Sequence, residues 1–227
     1  DVEISHKYFS DKLGQLIDLS DSVTLSESLR GLSRIACSPS GAENINVQEE
    51  FIQQRTAIMK SIKKSFSPGT GLVQARLPRP KSDTSIEDAQ DFEPYLRFYA
   101  VHQSDIDFRV KKLRSQVRLT ISGCSSGLAQ LAELDKTLDK SLSVHTRKRF
   151  SMVPKLLKIR FEYLFNQHKQ TQDDQTKDNP MLWEQPNGWL NIFYREMQQL
   201  LLAELEVRLQ PVIGLVEALD EEVNKHA

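Results

Sequence analysis

From Trp189 to Leu219 the apolar residues recur at steps of three and four: Trp189, Ile192, Phe193, Met197, Leu200, Leu201, Leu205, Leu209, Val212, Ile213, Val216 and Leu219. That period gathers them on one broad stripe of an α-helix. A stripe so long has to be covered, either by helices of the same chain or by a partner. Pro211 is expected to kink or break it.

The rest of the chain reads in the same period. Ile4, Tyr8, Phe9, Leu13, Leu16 and Ile17 predict a short amphipathic helix over 4–19. Thr24-Leu25-Ser26-Glu27 has capping-box spacing and is expected to open a second one, carrying Leu25, Leu29, Leu32 and Ile35. The turn composition from Cys37 to Gly41 ends it. A third helix over 47–66 turns Val47, Phe51, Ile52, Ile58, Met59, Ile62 and Phe66 inward. Residues 67–90, with Pro68, Gly69, Gly71, Pro78 and Pro80, read as a linker.

A long helix follows over 92–121, with Pro94 in its first turn, where the missing N–H does no harm. Gly123 to Gly127 breaks the pattern, and residues 126–168 are helical again, with Pro154 interrupting or kinking them. Residues 169–188 are polar, hold two prolines and read as a loop. No stretch alternates as a strand does, and no internal repeat is visible. The expectation is an all-α fold: a helical bundle of long antiparallel helices (91–227) behind a flexible linker (67–90) and a small helical N-terminal unit (1–66).

Composition narrows the function classes. The chain has 227 residues, enough to bury a sizeable core, and its 30 basic and 31 acidic residues nearly cancel. Global charge therefore favours neither a nucleic-acid binder nor an acidic tail. Cys37 and Cys124 are too few for a disulfide framework and read as reduced thiols. No apolar run approaches the roughly 20 residues that span a bilayer. Asp1 rather than Met stands first, so the natural N-terminus is expected upstream; no trace of a signal peptide remains. The expected compartment is the cytoplasm.

Chemistry is sparse. His6, His102, His145, His168 and His226 have no partner at zinc-site spacing, and neither cysteine has the surroundings of a nucleophile. Gly69-Thr70-Gly71 lacks the Lys-Ser/Thr and the preceding strand of a phosphate loop. Glu204 and Glu217 have no histidine three residues away, so the di-metal helix pattern is missing. His102 and Asp105 read as a surface helix pair. No catalytic residue, cofactor, metal or small-molecule substrate is implied, and the protein is not expected to be an enzyme.

Charge is distributed unevenly. Between Lys140 and Lys169 eight bases face the single acid Glu162, whereas Glu196, Glu204, Glu206, Glu217, Asp220, Glu221 and Glu222 make the last segment acidic. Either the two segments pack so that the charges meet at the rim, or the basic face stays open to phosphates. Most aromatic residues fall on apolar stripes, which leaves Tyr163 and Tyr194 as the expected exposed remainder, too few for base stacking.

The segment Asp91-Phe92-Glu93-Pro94-Tyr95-Leu96-Arg97-Phe98-Tyr99 with His102-Gln103 resembles an uncharacterised proteobacterial family of unknown function. So do Leu131-Ala132-Glu133-Leu134-Asp135, Val153-Pro154-Lys155-Leu156-Leu157 and Arg160-Phe161-Glu162. Trp189-Leu190-Asn191-Ile192-Phe193 and Arg208-Leu209-Gln210-Pro211-Val212 resemble it most. The resemblance implies a gene often found beside envelope proteins similar to flagellar-stator or OmpA-like components. It implies no activity and gives no residue a role. Together these readings predict an adaptor that recognises a protein partner or a second copy, with Trp189, Phe193 and Met197 as anchors. The alternative is a nucleic-acid binder contacting phosphates through Arg147, Lys148, Arg149, Lys155 and Lys158.

Overall fold

The computed structural model describes residues 19–32, 34–35, 46–67, 76–171 and 179–226. The described residues are helical and contain no strand. The helices are α1 (Leu19–Leu32), α2 (Val47–Ser65), α3 (Glu93–Ser122), α4 (Ser126–Phe150), α5 (Val153–Thr171), the single turn α6 (Pro180–Trp183) and α7 (Trp189–His226). The expected helix at 4–19 falls almost wholly outside the described residues.

Local chemistry sets most helix starts. The side chain of Asn46 accepts from the Glu49 amide at the start of α2, and the Ser125 hydroxyl accepts from the Leu128 amide at the start of α4. Asn179 caps α6 by accepting from the Met181 amide, with Pro180 at the first helical position. Pro94 and Pro154 both lie at second positions of their helices, where no intrahelical N–H is needed. The helical stretch expected over 126–168 is therefore two helices, separated by the turn at Ser151 and Met152.

Two expectations need correction. Helix α1 runs straight through Thr24, so the capping-box spacing there does not mark a helix start. The loop expected over 169–188 contains α6, whose Trp183 is almost completely buried. Helix α7 continues through Pro211 without a break. Val207, whose carbonyl loses a helical hydrogen bond there, lies on the exposed side, while Leu209 and Val212 are fully buried and hold the flanking turns.

The chain divides into two compact units. The described residues of 1–51, 112–150 and 210–227 form one of them. Within it α3 and α4 run antiparallel: Arg114 and Arg118 both bind the carboxylates of Asp135 and Asp139. The Thr137 hydroxyl donates to the Glu133 carbonyl and so accepts from Ser28 of α1 at 2.9 Å.

The described residues of 52–111 and 151–209 form the other unit, whose centre is aromatic. Phe161 meets Phe92, Tyr95, Trp189 and Phe193 at ring separations of 5.1 to 5.5 Å. The contacts with Trp189 and Phe193 are edge-to-face, and such pairs contribute about 1 kcal/mol each beyond the area they bury. Helix α5 is antiparallel to α7, since Arg160 meets Glu196 and Phe165 meets Trp189. Helix α3 instead runs parallel to α7, with Tyr99 against Glu204 and Asp107 against Arg208.

Leu77 is buried within the same unit, Pro78 accepts a hydrogen bond from Tyr194, and Arg79 binds Glu184 and the Phe66 carbonyl. These contacts hold the second half of the stretch that composition reads as a linker.

Candidate functional site

The stripe on α7 is covered by the chain itself. Trp189 is 6% exposed, while Phe193 and Met197 are fully buried. Rings of Phe161, Phe165 and Trp183 surround Trp189, and those of Phe92, Tyr95 and Phe161 surround Phe193. The partner that the stripe requires is thus supplied by neighbouring helices, and these three side chains present no surface to another molecule. Tyr194 is likewise buried, its hydroxyl donating to the Pro78 carbonyl at 2.5 Å.

The five expected phosphate-binding residues are all exposed. Arg147, Lys148 and Arg149 occupy the last turn of α4 in one compact unit, whereas Lys155 and Lys158 belong to α5 in the other. Cations in a final helical turn are favoured by the helix dipole, which accounts for the first three without a ligand. Of the other bases, Arg160 grips Glu196 with two hydrogen bonds of 2.7 and 2.6 Å, so basic α5 and acidic α7 do meet there.

A polar ladder crosses between α3 and α7. Glu204, only 3% exposed, accepts from Tyr99 at 2.5 Å and from Gln103 at 3.0 Å, and lies 3.5 Å from Arg208. Arg208 continues to Asp107, which also takes the Lys111 ammonium. Burial and the bond to Glu204 push the Tyr99 hydroxyl far above its ordinary range, so it stays protonated and donates. Both carboxylate oxygens of Glu204 are engaged by side chains of α3 and α7, so the ladder fixes α3 against α7.

His102 is buried beside it and is no surface pair with Asp105, which binds Arg109 instead. Its Nδ1 lies 2.8 Å from the Phe98 carbonyl and therefore carries the proton. Its Nε2 has no hydrogen-bond partner among the described residues. Burial lowers its pKa, outweighing the Phe98 carbonyl and Asp105, which favour the charged form.

A cleft of about 520 Å³ opens beside α5, between Gln90–Glu93 and Lys155, Lys158, Glu162 and Asn166, floored by Phe92, Phe161 and Phe165. Its lining holds no histidine or cysteine. No cluster of histidine, cysteine and carboxylate side chains among the described residues is arranged to hold a metal. No described helix is long and apolar enough to cross a membrane.

The feature that sequence reading missed is the outer face of α5. Leu157, Phe161, Leu164 and Phe165 are buried on one side of that helix. On the opposite side Leu156, Ile159 and Tyr163, together with Met152 in the turn that leads into the helix, at spacings of four, three and four, remain 56 to 62% exposed. Single exposed apolar residues are ordinary, but four in register on one face are not. The Arg160 guanidinium lies over the Tyr163 ring at 5.3 Å and restrains it. The spacing is plain in the sequence; the stronger stripe on α7 drew the reading away from it.

An all-α protein with an aromatic core, tied by part-buried ion pairs and carrying an uncovered apolar stripe along α5, is the class the described residues define. The chain belongs to the family described as "Protein of unknown function (DUF3348)", which matches residues 1–221. No curated protein and no solved structure matches it.

Proposed function

We propose that this protein is a non-enzymatic helical interaction protein, a cytoplasmic accessory subunit or adaptor of a bacterial, envelope-associated assembly. One observation carries the reading: the stripe of Leu156, Ile159 and Tyr163 on α5, continued by Met152 in the turn before it, exposed where the other face of the helix is packed. Covering those side chains removes apolar surface from water at roughly 25 cal/mol per Å². Helix-face recognition, in which a partner helix lays its own apolar stripe along this one, is the mode the geometry suits.

The phosphate-binding reading has weaker support. It draws on the exposure of Arg147, Lys148, Arg149, Lys155 and Lys158, but these fall in two units and Lys158 already has Glu162 at 3.8 Å.

A photo-crosslinking residue placed at Ile159 tests the interaction reading in the native host. The expected result is an adduct with a protein that is lost when Leu156 is changed to Glu. If Ile159 yields no adduct where an equally exposed control position, Phe108, also yields none, the interaction reading falls.

A further inference from the structure

The flanks of the exposed α5 stripe say what covers it. We infer that its occupant is the same stripe of a second copy of this chain, the two α5 helices packing antiparallel about a two-fold axis. The inference rests on the interaction reading above and names its partner.

Steps of four, three and four are the d, a, d and a positions of a heptad, here Met152, Leu156, Ile159 and Tyr163. An antiparallel copy sets each a position beside a d position. Met152 then meets Tyr163 of the second copy, and Leu156 meets Ile159, so each layer joins one larger and one smaller side chain or two of equal size. The patch is self-complementary in shape, as a two-fold interface requires.

Charge selects the direction. The g positions beside the stripe are Lys155 and Glu162, of opposite sign and one heptad apart. Antiparallel packing brings g against g, so Lys155 of each copy faces Glu162 of the other, twice. Parallel packing would instead bring Lys155 against Arg160 of the second copy, a like-charge contact that disfavours it. The Lys155 side chain makes no hydrogen bond or ion pair among the described residues of its own chain. Among the described residues the Glu162 side chain has only Lys158 as an ion-pair partner, at 3.8 Å and with both side chains more than half exposed, a contact weak enough to exchange. Arg160 is already committed to Glu196 and to the Tyr163 ring, which stiffens one end of the stripe before it is covered.

Four side chains over three turns make a patch smaller than the ~800 Å² per partner of a firmly associated dimer. Self-association is therefore expected to be weak, with a dissociation constant on the order of 10 to 100 µM.

Sedimentation equilibrium of the purified full chain across that range tests this. The expected mass rises from 26.0 kDa toward twice that value. Ile159→Glu, on the exposed face, is expected to hold the protein at the monomer mass with its circular dichroism unchanged. Lys155→Glu and Glu162→Lys are each expected to weaken the dimer several-fold, whereas an equimolar mixture of the two variants regains wild-type association, because both cross-pairs are then opposite in charge. A dimer indifferent to these changes, or a mixture no better than its components, overturns the proposal. So does a wild-type chain that stays monomeric. In that case a crosslink from Ile159 to a different protein would preserve the interaction reading, and its absence would remove both. Binding of monomer to phosphatidylserine vesicles that is lost in Ile159→Glu would assign the stripe to a lipid surface and likewise overturn self-pairing.

Discussion

Glu204 shows at the scale of one residue how this fold uses charge. Its carboxylate is buried among Tyr99, Gln103 and Arg208, accepting from the first two and lying beside the third. Glu204→Ala removes the buried acceptor shared by the Tyr99 phenol and the Gln103 amide and one of the two carboxylates beside Arg208, and is expected to cost about 3 to 5 kcal/mol of stability in urea unfolding. Tyr99→Phe removes one neutral donor and should cost about 1 kcal/mol. Comparable losses from both variants would mean that the ladder is not organised around the carboxylate. His102, one helical turn beyond Phe98, adds a pH dependence. Its folded-state pKa lies below the unfolded value near 6.5, so the folded protein keeps it neutral where the unfolded chain takes up a proton. The stability present above pH 6.5 is therefore lost as pH falls from 6.5 toward the folded value, at no more than about 1.4 kcal/mol per pH unit. His102→Gln should flatten that part of the profile between roughly pH 5 and 6.5, above the carboxylate range. An unchanged slope would place the proton uptake elsewhere.

Elements were legible in the sequence wherever one helical period dominated. The starts of α2, α3, α4 and α7 emerge from steps of three and four within a residue, because burying one face is the strongest local requirement on such a segment, whereas α5 and α7 run three and seven residues past the ends the pattern gave. Weaker signals misled. A capping box is worth about 1 kcal/mol, less than the helix gains by continuing through Thr24. Periodicity also cannot say what covers a stripe: α7 is enclosed by its own chain, while α5 carries two stripes and has one of them enclosed. The one-turn helix α6 was too short for any period, though Asn179-Pro180 has the composition of a helix start. The connection from α6 to α7 depends on Gly188, where a Cβ would lie 2.1 Å from the Trp183 carbonyl oxygen and 2.5 Å from that of Leu182. Backbone cannot yield as a side chain can. Gly188→Ala should displace Trp183 from its place beside Trp189 and His168 and cost about 3 kcal/mol. A red shift of tryptophan emission in the folded protein would report the displacement; a wild-type spectrum with wild-type stability would show that the turn relaxes freely.

Over the whole molecule, charge is nearly balanced, with a formal net charge of −1. No strong long-range field is available to gather polyanions, so salt can separate the two ways this surface has been read. If Arg147, Lys148, Arg149, Lys155 and Lys158 held five phosphates, log affinity would fall with log salt at a slope of about −4 to −5, roughly a ten-thousand-fold loss per tenfold rise in salt. Self-pairing through α5 draws instead on apolar area, with two exposed Lys155–Glu162 pairs at its rim. Screening such pairs removes at most about 1 kcal/mol each. Raising salt from 50 to 500 mM should therefore weaken the dimer by about thirtyfold or less, while leaving the monomer folded, since the ion pairs of Glu204 and Asp135 are buried enough to be screened little. Sedimentation equilibrium at the two salt concentrations reads this directly. A loss of a hundredfold or more would mean that charge rather than the Met152–Tyr163 stripe drives association, and the apolar face would lose its claim to be the surface on which this protein acts.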